Sequence, residues 1–244
     1  MKTITICNQK GGCGKTATAA ALAAGLARRG FHVLAVDIDG QHSLTLICGA
    51  LPGPTLSDVI AGRATAAASI QKTGQGFDLL PGDLALSTLP KNYRLETLRG
   101  ILAGIRGNYD YCIIDTPPAL SVLTMSAIVA ASDVIIPAAP DVLSLYGIDQ
   151  AAETLDAVRP VNGALTVGIL LTQYDGRKNV HRIMKDTIAD RAQAMGATVY
   201  RQTIRAGVAV PESSLLKQDL FTSAPRAGVT ADYNAFIDEY LRGA

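Results

Sequence analysis

The run Lys10-Gly11-Gly12-Cys13-Gly14-Lys15-Thr16 lies between the short β-branched stretch Thr3-Ile4-Thr5-Ile6-Cys7 and an alanine-rich stretch with helical spacing from Ala17 to Arg29. No other feature constrains the fold as strongly. A glycine cluster followed at once by Lys and Thr, where a strand hands over to a helix, lets successive backbone N–H groups curl round phosphate oxygens. The glycines remove the Cβ atoms that would block this approach. The helix starting near Lys15 adds the positive end of its dipole. Lys15 is then placed to neutralise the β- and γ-phosphates of a nucleoside triphosphate, and the Thr16 hydroxyl to ligate Mg²⁺. The expected nucleotide contacts are Lys10, Gly11, Gly12, Cys13, Gly14, Lys15, Thr16 and Ala17. A ligand-free Gly-rich turn would explain the glycines but not Gly-Lys-Thr at this junction.

Beyond the loop, short apolar runs alternate with longer helical stretches. Strands are expected at Thr3 to Cys7, Val33 to Asp37, Phe77 to Leu80, Tyr111 to Asp115, Val134 to Pro137, Thr166 to Leu171 and Thr198 to Tyr200. Further helices are expected at Leu120 to Ala131, Ser144 to Val158, Val180 to Met195 and Thr230 to Leu241, with short helices and loops over a sheet edge from Ala50 to Gly76. Near-continuous apolar strands such as Cys112-Ile113-Ile114 require burial on both faces, hence a mostly parallel central sheet covered by helices on both faces. The expected fold class is doubly wound α/β of the P-loop NTPase type. With 48% apolar residues in 244, one substantial core can form. No repeat or linker marks a boundary, so residues 1–244 are expected to form a single domain.

The usual pattern G-x-x-x-x-G-K-[ST] fails here, because Gln9 stands where its first glycine would be. An extra lysine, Lys10, appears instead. The chain there is still leaving the strand, so Lys10 cannot easily reach the phosphates of its own loop, although it can reach a neighbour's. At this point the sequence resembles the ParA/MinD superfamily of deviant Walker-A ATPases, whose signature is K-G-G-x-G-K-[ST]. The resemblance implies that Lys10 crosses a dimer interface and acts like an arginine finger on the transferring phosphoryl group.

Two apolar strands end in carboxylates. Val33-Leu34-Ala35-Val36-Asp37-Ile38-Asp39 ends in a D-x-D pair at the sheet's carboxyl end, the end that faces the ligand crevice in open α/β sheets. A turn starting between Asp37 and Asp39 would split their roles. The resemblance implies that Asp39 holds the attacking water and that Asp37 lies close to the metal. Cys112-Ile113-Ile114-Asp115-Thr116-Pro117-Pro118 matches a Walker-B-like motif, in which Asp115 holds Mg²⁺ through water. Most strand-end aspartates are caps or turn formers. Their order behind a phosphate loop favours the site reading. Catalytic roles thus fall to Lys10, Lys15 and Asp39, and metal roles to Thr16, Asp37 and Asp115.

The resemblance runs through Ala119 to Ala131, Pro137 to Leu145, Leu171 to Asp175 and Ile204 to Ser213, so it covers nearly the whole chain, and the last two stretches point more narrowly to ParA. It implies an ATP-bound sandwich homodimer that binds DNA nonspecifically and a ParB-like partner that stimulates hydrolysis, in the cytoplasm at the nucleoid. Arg205 matches a family position for DNA contact, with Arg177, Lys178, Arg182, Arg201 and Lys217 as neighbours in sequence, although exposed cations usually only solvate a surface. Tyr174 and Pro211 are placed to flank the adenine; core packing or a turn would explain them equally well.

Three departures stand out. Ala17 replaces a threonine that would touch the α-phosphate, and Gly40 replaces a frequent proline, leaving the turn after Asp39 freer. Cys13 replaces a valine and brings a thiol into the loop, where oxidants are a hazard but no redox role is expected.

The balance of 22 basic and 21 acidic residues excludes a global attraction to nucleic acid or membrane, so any such binding needs a local patch. No apolar run reaches about 18 residues, and the N-terminus lacks a signal peptide's apolar region. Cys7, Cys13, Cys48 and Cys112 contain no C-x-x-C pair, and His32, His42 and His181 have no ligand-like spacing, so no transition-metal site is expected. Rival readings are a MinD-like membrane-positioning ATPase, a metabolic ATP-dependent ligase, a cluster-bearing electron carrier and a binding module without hydrolysis. The acidic tail Asp232 to Leu241 argues against the first, and the absence of cysteine after Cys112 against the third.

Overall fold

The computed structural model describes residues 1–119 and 121–243. Leu120, where one helix was expected to begin, lies outside them. Among the described residues eight strands form one sheet: β1 (Lys2–Ile6), β2 (Val33–Asp37), β3 (Gln71–Lys72), β4 (Asp78–Leu80), β5 (Tyr111–Asp115), β6 (Asp133–Ala138), β7 (Thr166–Leu171) and β8 (Thr198–Val199). Their spatial order is β3-β4-β2-β5-β1-β6-β7-β8. All neighbours run parallel except β3, which pairs antiparallel with β4. The expected doubly wound, mostly parallel α/β fold is the fold observed.

Strand alternation divides the core in two. Ile4 and Ile6 of β1, Val33 and Ala35 of β2 and Ile113 of β5 face α1 (Lys15–Ala27) and the helices Leu220–Ser223 and Gly228–Leu241. Leu34, Val36, Cys112 and Ile114 face the opposite side, under helices Thr97–Ala103 and Val122–Ala130. Val134, Ile136, Ile169 and Leu171 continue that side under helices Val142–Val158 and Asn179–Ala194. Each buried Ile or Leu contributes about 1.5–3 kcal/mol, which is why strands apolar on both faces require this three-layer arrangement.

The C-terminal helix packs tightly on α1. A Cβ on Gly25 would stand 2.2 Å from Ile237 Cδ1, and the Thr18 and Tyr233 hydroxyls are 3.3 Å apart. Val229, Tyr233, Phe236, Ile237 and Tyr240 are buried in this contact. The apolar face that a membrane-surface helix would need is therefore used internally. Among the described residues no helix is long and apolar enough to cross a membrane.

The elements differ from expectation where they are short. The stretch from Ala50 to Gly76 holds helices Leu56–Ile60 and Ala66–Ser69, as expected, and also the edge strand β3, which was not. Helices Thr97–Ala103 and Ala209–Leu216 were not expected either. Pro211 sits in the first turn of the latter, where its missing N–H has no helical partner to lose.

Register sets out the carboxyl edge. Ile6 of β1 lies beside Asp115 of β5, which lies beside Asp37 of β2. The loop after β1 thus emerges at mid-sheet, next to both strand-end carboxylates. The pairing of β6 with β1 stops at Ile135, and just beyond it Asn8 Nδ2 donates to the Pro137 carbonyl at 2.7 Å. Asn8 Oδ1 accepts from the Lys10 N–H at 2.9 Å, so one side chain fixes where the glycine loop departs.

Candidate nucleotide site

The loop from Lys10 to Gly14 uses left-handed backbone at Gly12 (φ 72°) and Gly14 (φ 92°), a conformation costly for any residue with a Cβ. Gly14 is the N-cap of α1 and offers no side-chain cap, so the first N–H groups of the helix are left for a ligand. Lys15 is buried, and its Nζ donates to the Lys10 carbonyl at 3.1 Å. An open cleft of about 300 Å³ is lined by Gly11, Gly12, Gly14, Lys15, Thr16, Ala17, Asp39, Ser43 and Pro118. The structure thus brings Thr16, Lys15 and Asp39 into one space.

The two aspartates after β2 diverge because the strand ends at Asp37. Asp37 is buried, and its oxygens accept from the Asp39 N–H (3.0 Å), the Thr45 N–H (2.8 Å) and the Thr45 hydroxyl (2.7 Å). Burial raises its carboxyl above the usual range despite these donors. It organises the turn, whereas Asp39 lines the cleft. The turn itself is tied down, contrary to the freedom expected of Gly40. Asp39 Oδ1 accepts from the Gln41 N–H and the Asp39 carbonyl from the His42 N–H, while a Cβ on Gly40 would land 2.2 Å from Ser87 Oγ.

Asp115 is fully buried, and among the described residues neither of its oxygens has a hydrogen-bond partner. Burial and then the neighbouring Asp37 charge push its carboxyl well above the ordinary value; the Thr16 hydroxyl and the Lys15 ammonium nearby offset this only in part. A buried carboxylate without donors is costly unless a cation completes it. This donor set fits Mg²⁺, which takes one or two oxygen side chains and fills its remaining positions with water and phosphate. Among the described residues no group of three His, Cys, Asp or Glu converges on a metal site, as a closed transition-metal site would require.

Lys10 points away from its own loop. Its Nζ is paired with the Asp141 carboxylate and lies 3.3 Å from the Ser144 hydroxyl. Asp141 is the N-cap of helix Val142–Val158 and accepts from the Ser144 N–H at 3.0 Å. Partial burial would raise its carboxyl, but the Lys10 ammonium and the Ser144 donors outweigh it and hold the group below its usual range. Around this pair Val142, Leu143 and Tyr146 are 73%, 68% and 64% exposed.

A second cleft, of about 530 Å³, opens beyond β7 and β8 and is lined by Tyr174, Asp175, Arg177, Lys178, Arg205 and Asp232 among others. The three DNA candidates Arg177, Lys178 and Arg205 meet there. Arg177 makes two bonds to Asp175, which it holds down at about 2, and Arg205 makes two to Asp232. Lys178 makes no ion pair among the described residues. Arg182 bonds to Asn179, and Arg201 and Lys217 are exposed elsewhere. Tyr174 lines this cleft while Pro211 is exposed and lines neither cleft, so the two adenine candidates are not brought together.

All four cysteines are free and buried. Burial pushes the Cys7 and Cys48 thiols up to about 12 and also raises Cys13 and Cys112. Cys13 bonds to the Lys10 carbonyl at 3.2 Å, so the thiol in the loop is shielded rather than open to oxidants.

A phosphate loop at the centre of a parallel sheet, flanked by carboxylates at neighbouring strand ends, defines a P-loop ATPase. Residues 1–167 match the family described as an AAA domain. The chromosome partitioning protein ParA of Caulobacter vibrioides is 36% identical over 230 residues, covering 87% of this chain and 84% of that protein. A crystal structure of cobyrinic acid a,c-diamide synthase from Mycobacterium smegmatis superposes with a TM-score of 0.85 at 30% identity, covering 99% of this chain and 94% of that one. The same protein has been solved with a bound ATP analogue and magnesium. The cell division ATPase MinD of Pyrococcus furiosus shares the fold, with a TM-score of 0.80 at 24% identity over 100% of this chain and 99% of that one. The chain belongs to the ParA/MinD family of P-loop ATPases.

Proposed function

We propose that this protein is a partition ATPase working as a single domain: it binds Mg-ATP, pairs with a second copy round the nucleotide, and in that state binds DNA nonspecifically until a ParB-like partner stimulates hydrolysis. The observation that carries this reading is the placement of Lys10, which is held off its own phosphate loop beside exposed Val142, Leu143 and Tyr146. A lysine aimed away from its own site, ringed by uncovered apolar side chains, suits a surface that closes on another subunit.

The residues divide the chemistry. Lys15 would exchange the Lys10 carbonyl for the β- and γ-phosphates, a swap of a neutral acceptor for charged ones. Thr16, with Asp115 acting through water and Asp37 beside it, would hold Mg²⁺, which when bound supplies charge neutralisation at the phosphates. Asp39, in the cleft, would orient the attacking water. Lys10 of the second copy would stabilise charge on the transferring phosphoryl group. Its pair with Asp141 is part-exposed and contributes about 0–1 kcal/mol, so giving it up for a phosphoryl group costs little.

DNA binding is supported by the meeting of Arg177, Lys178 and Arg205 in one cleft, and two copies would double that patch. Co-sedimentation with DNA in ATP, ADP or no nucleotide tests the reading. Retention is expected with ATP alone, and retention that ignored nucleotide would overturn it. The likeness to cobyrinic acid a,c-diamide synthase favours a second reading, an ATP-dependent ligase. A ligase has no need of Lys10, so an inert Lys10→Ala substitution would select it.

A further inference from the structure

We propose that Gln173 is a positioning residue for the nucleotide, bracing the phosphate loop from outside the cleft; this rests on the Mg-ATP reading above. A loop that binds phosphate through its N–H groups must turn its carbonyls outward, and outward carbonyls need donors of their own. Four are held. The Lys10 carbonyl accepts from Lys15 Nζ and Cys13 Sγ, Gly12 from Gln173 Nε2 at 2.7 Å, Cys13 from the Thr172 hydroxyl at 2.8 Å, and Gly14 from the Thr18 N–H at 2.9 Å.

These donors differ in what happens when ATP arrives. Lys15 must leave its carbonyl for the phosphates. Thr172 and Gln173 do not line the phosphate cleft, so their bonds persist and keep the loop amides aimed inward in both nucleotide states. Gln173 is the unusual member. Among the described residues it is one of three non-glycine residues with positive φ, at 54°, a conformation an L side chain adopts only when its surroundings hold it there. The grip is visible on either side, where the Thr172 N–H bonds to the Ala138 carbonyl at 2.9 Å and the Tyr174 N–H to the Ile204 carbonyl at 3.0 Å. The kink after β7 carries the Gln173 amide across to Gly12 while the residue also lines the basic cleft. Gln173 thus joins the phosphate loop to the surface that holds Arg177, Lys178 and Arg205.

The test compares wild type with Gln173→Met, which keeps length and neutrality but loses the donor, and Gln173→Gly, which also relieves the backbone. Affinities for a fluorescent ATP analogue and for its ADP counterpart, each with Mg²⁺, are expected to fall together by roughly 2- to 10-fold in both variants, the worth of one hydrogen bond. Gln173→Gly is expected to melt at a higher temperature than Gln173→Met although both bind nucleotide more weakly than wild type, a divergence that a merely structural residue would not produce. Amide hydrogen exchange of residues 10–16 without nucleotide is expected to quicken in Gln173→Met. Unchanged affinity and exchange in both variants would overturn the proposal, as would a changed preference for ATP over GTP, which would make Gln173 a base-reading residue. Wild-type protein that bound no Mg-nucleotide while Gln173→Met still loosened the loop would instead count against the ATP reading alone.

Discussion

The two clefts of this molecule handle charge in opposite ways. At the carboxyl ends of β1, β2 and β5, Asp115 is buried with no donor on either oxygen among the described residues, and Lys15 is parked on a carbonyl. Beyond β7 and β8, Arg177 and Arg205 each carry a carboxylate of their own in two-bonded pairs. The first cleft is electrostatically incomplete and gains by admitting a cation and an anion together. The second is nearly self-neutralised, so an incoming phosphate must compete with Asp175 and Asp232. A buried group without a partner is thus a stronger indication of a ligand than a cluster of exposed arginines.

The largest expected effect tests the first cleft across two subunits. Lys10→Ala should lower stimulated ATP turnover by about 10³-fold, the scale of a lost arginine finger, while nucleotide binding by the monomer stays within a few fold. Turnover measured with a saturating activator checks it, and near-normal rates would mean that Lys10 has no part in catalysis.

Asp115→Asn sharpens the contrast next. It removes a carboxyl whose charged form burial and the Asp37 charge already disfavour, so the nucleotide-free protein should gain at most about 1–3 kcal/mol, or roughly 2–10 °C in melting temperature. The added stabilisation from Mg-nucleotide should shrink in the same scan. A variant less stable than wild type without ligand would show that the carboxylate has a structural partner after all.

In the second cleft the effects should be smaller and graded by pairing. Lys178→Ala is expected to reduce the salt slope of DNA retention by about 1, and Arg177→Ala by less, because Asp175 already answers its charge. Asp175→Asn should strengthen retention by freeing Arg177. Equal losses for Lys178 and Arg177 would erase the distinction between free and paired cations. The smallest effect concerns the thiols. Cys7 and Cys48 are buried and burial pushes their thiols up to about 12, so alkylation of the native protein should await exposure by unfolding, as mass spectrometry over time would show.

Much of the first cleft was legible in the sequence because its signals are local. Glycines, Lys15 and Thr16 follow one another, and the apolar runs before Asp37 and Asp115 announce buried parallel strands on their own. The contacts that tune the site are not local. Lys10 meets a carboxylate 131 positions away, and Gly12 meets Gln173 161 positions away, so neither partner carries a mark in its own neighbourhood. The short edge strand β3 exists because β4 offers it a ladder, and a two-residue segment has no periodicity to read. Pro211 was placed beside the adenine by its position after a late apolar segment, yet it sits in the first turn of a helix, where proline is tolerated. The three cations of the second cleft were singled out by residue type and position, but which of them is free depends on carboxylates such as Asp232, 27 positions from Arg205.

The close seat of Ile237 on Gly25 has a consequence for how the protein comes into being. The helix that begins at the phosphate loop is propped by one whose Tyr233 stands 215 positions beyond Thr18, so it gains its full support only after the segment bearing Tyr233 and Ile237 has been made. A growing polypeptide would hold nucleotide poorly until that segment has emerged from the ribosome; stalled nascent chains ending before Gly228 should retain less labelled ATP than chains that include Gly228–Leu241.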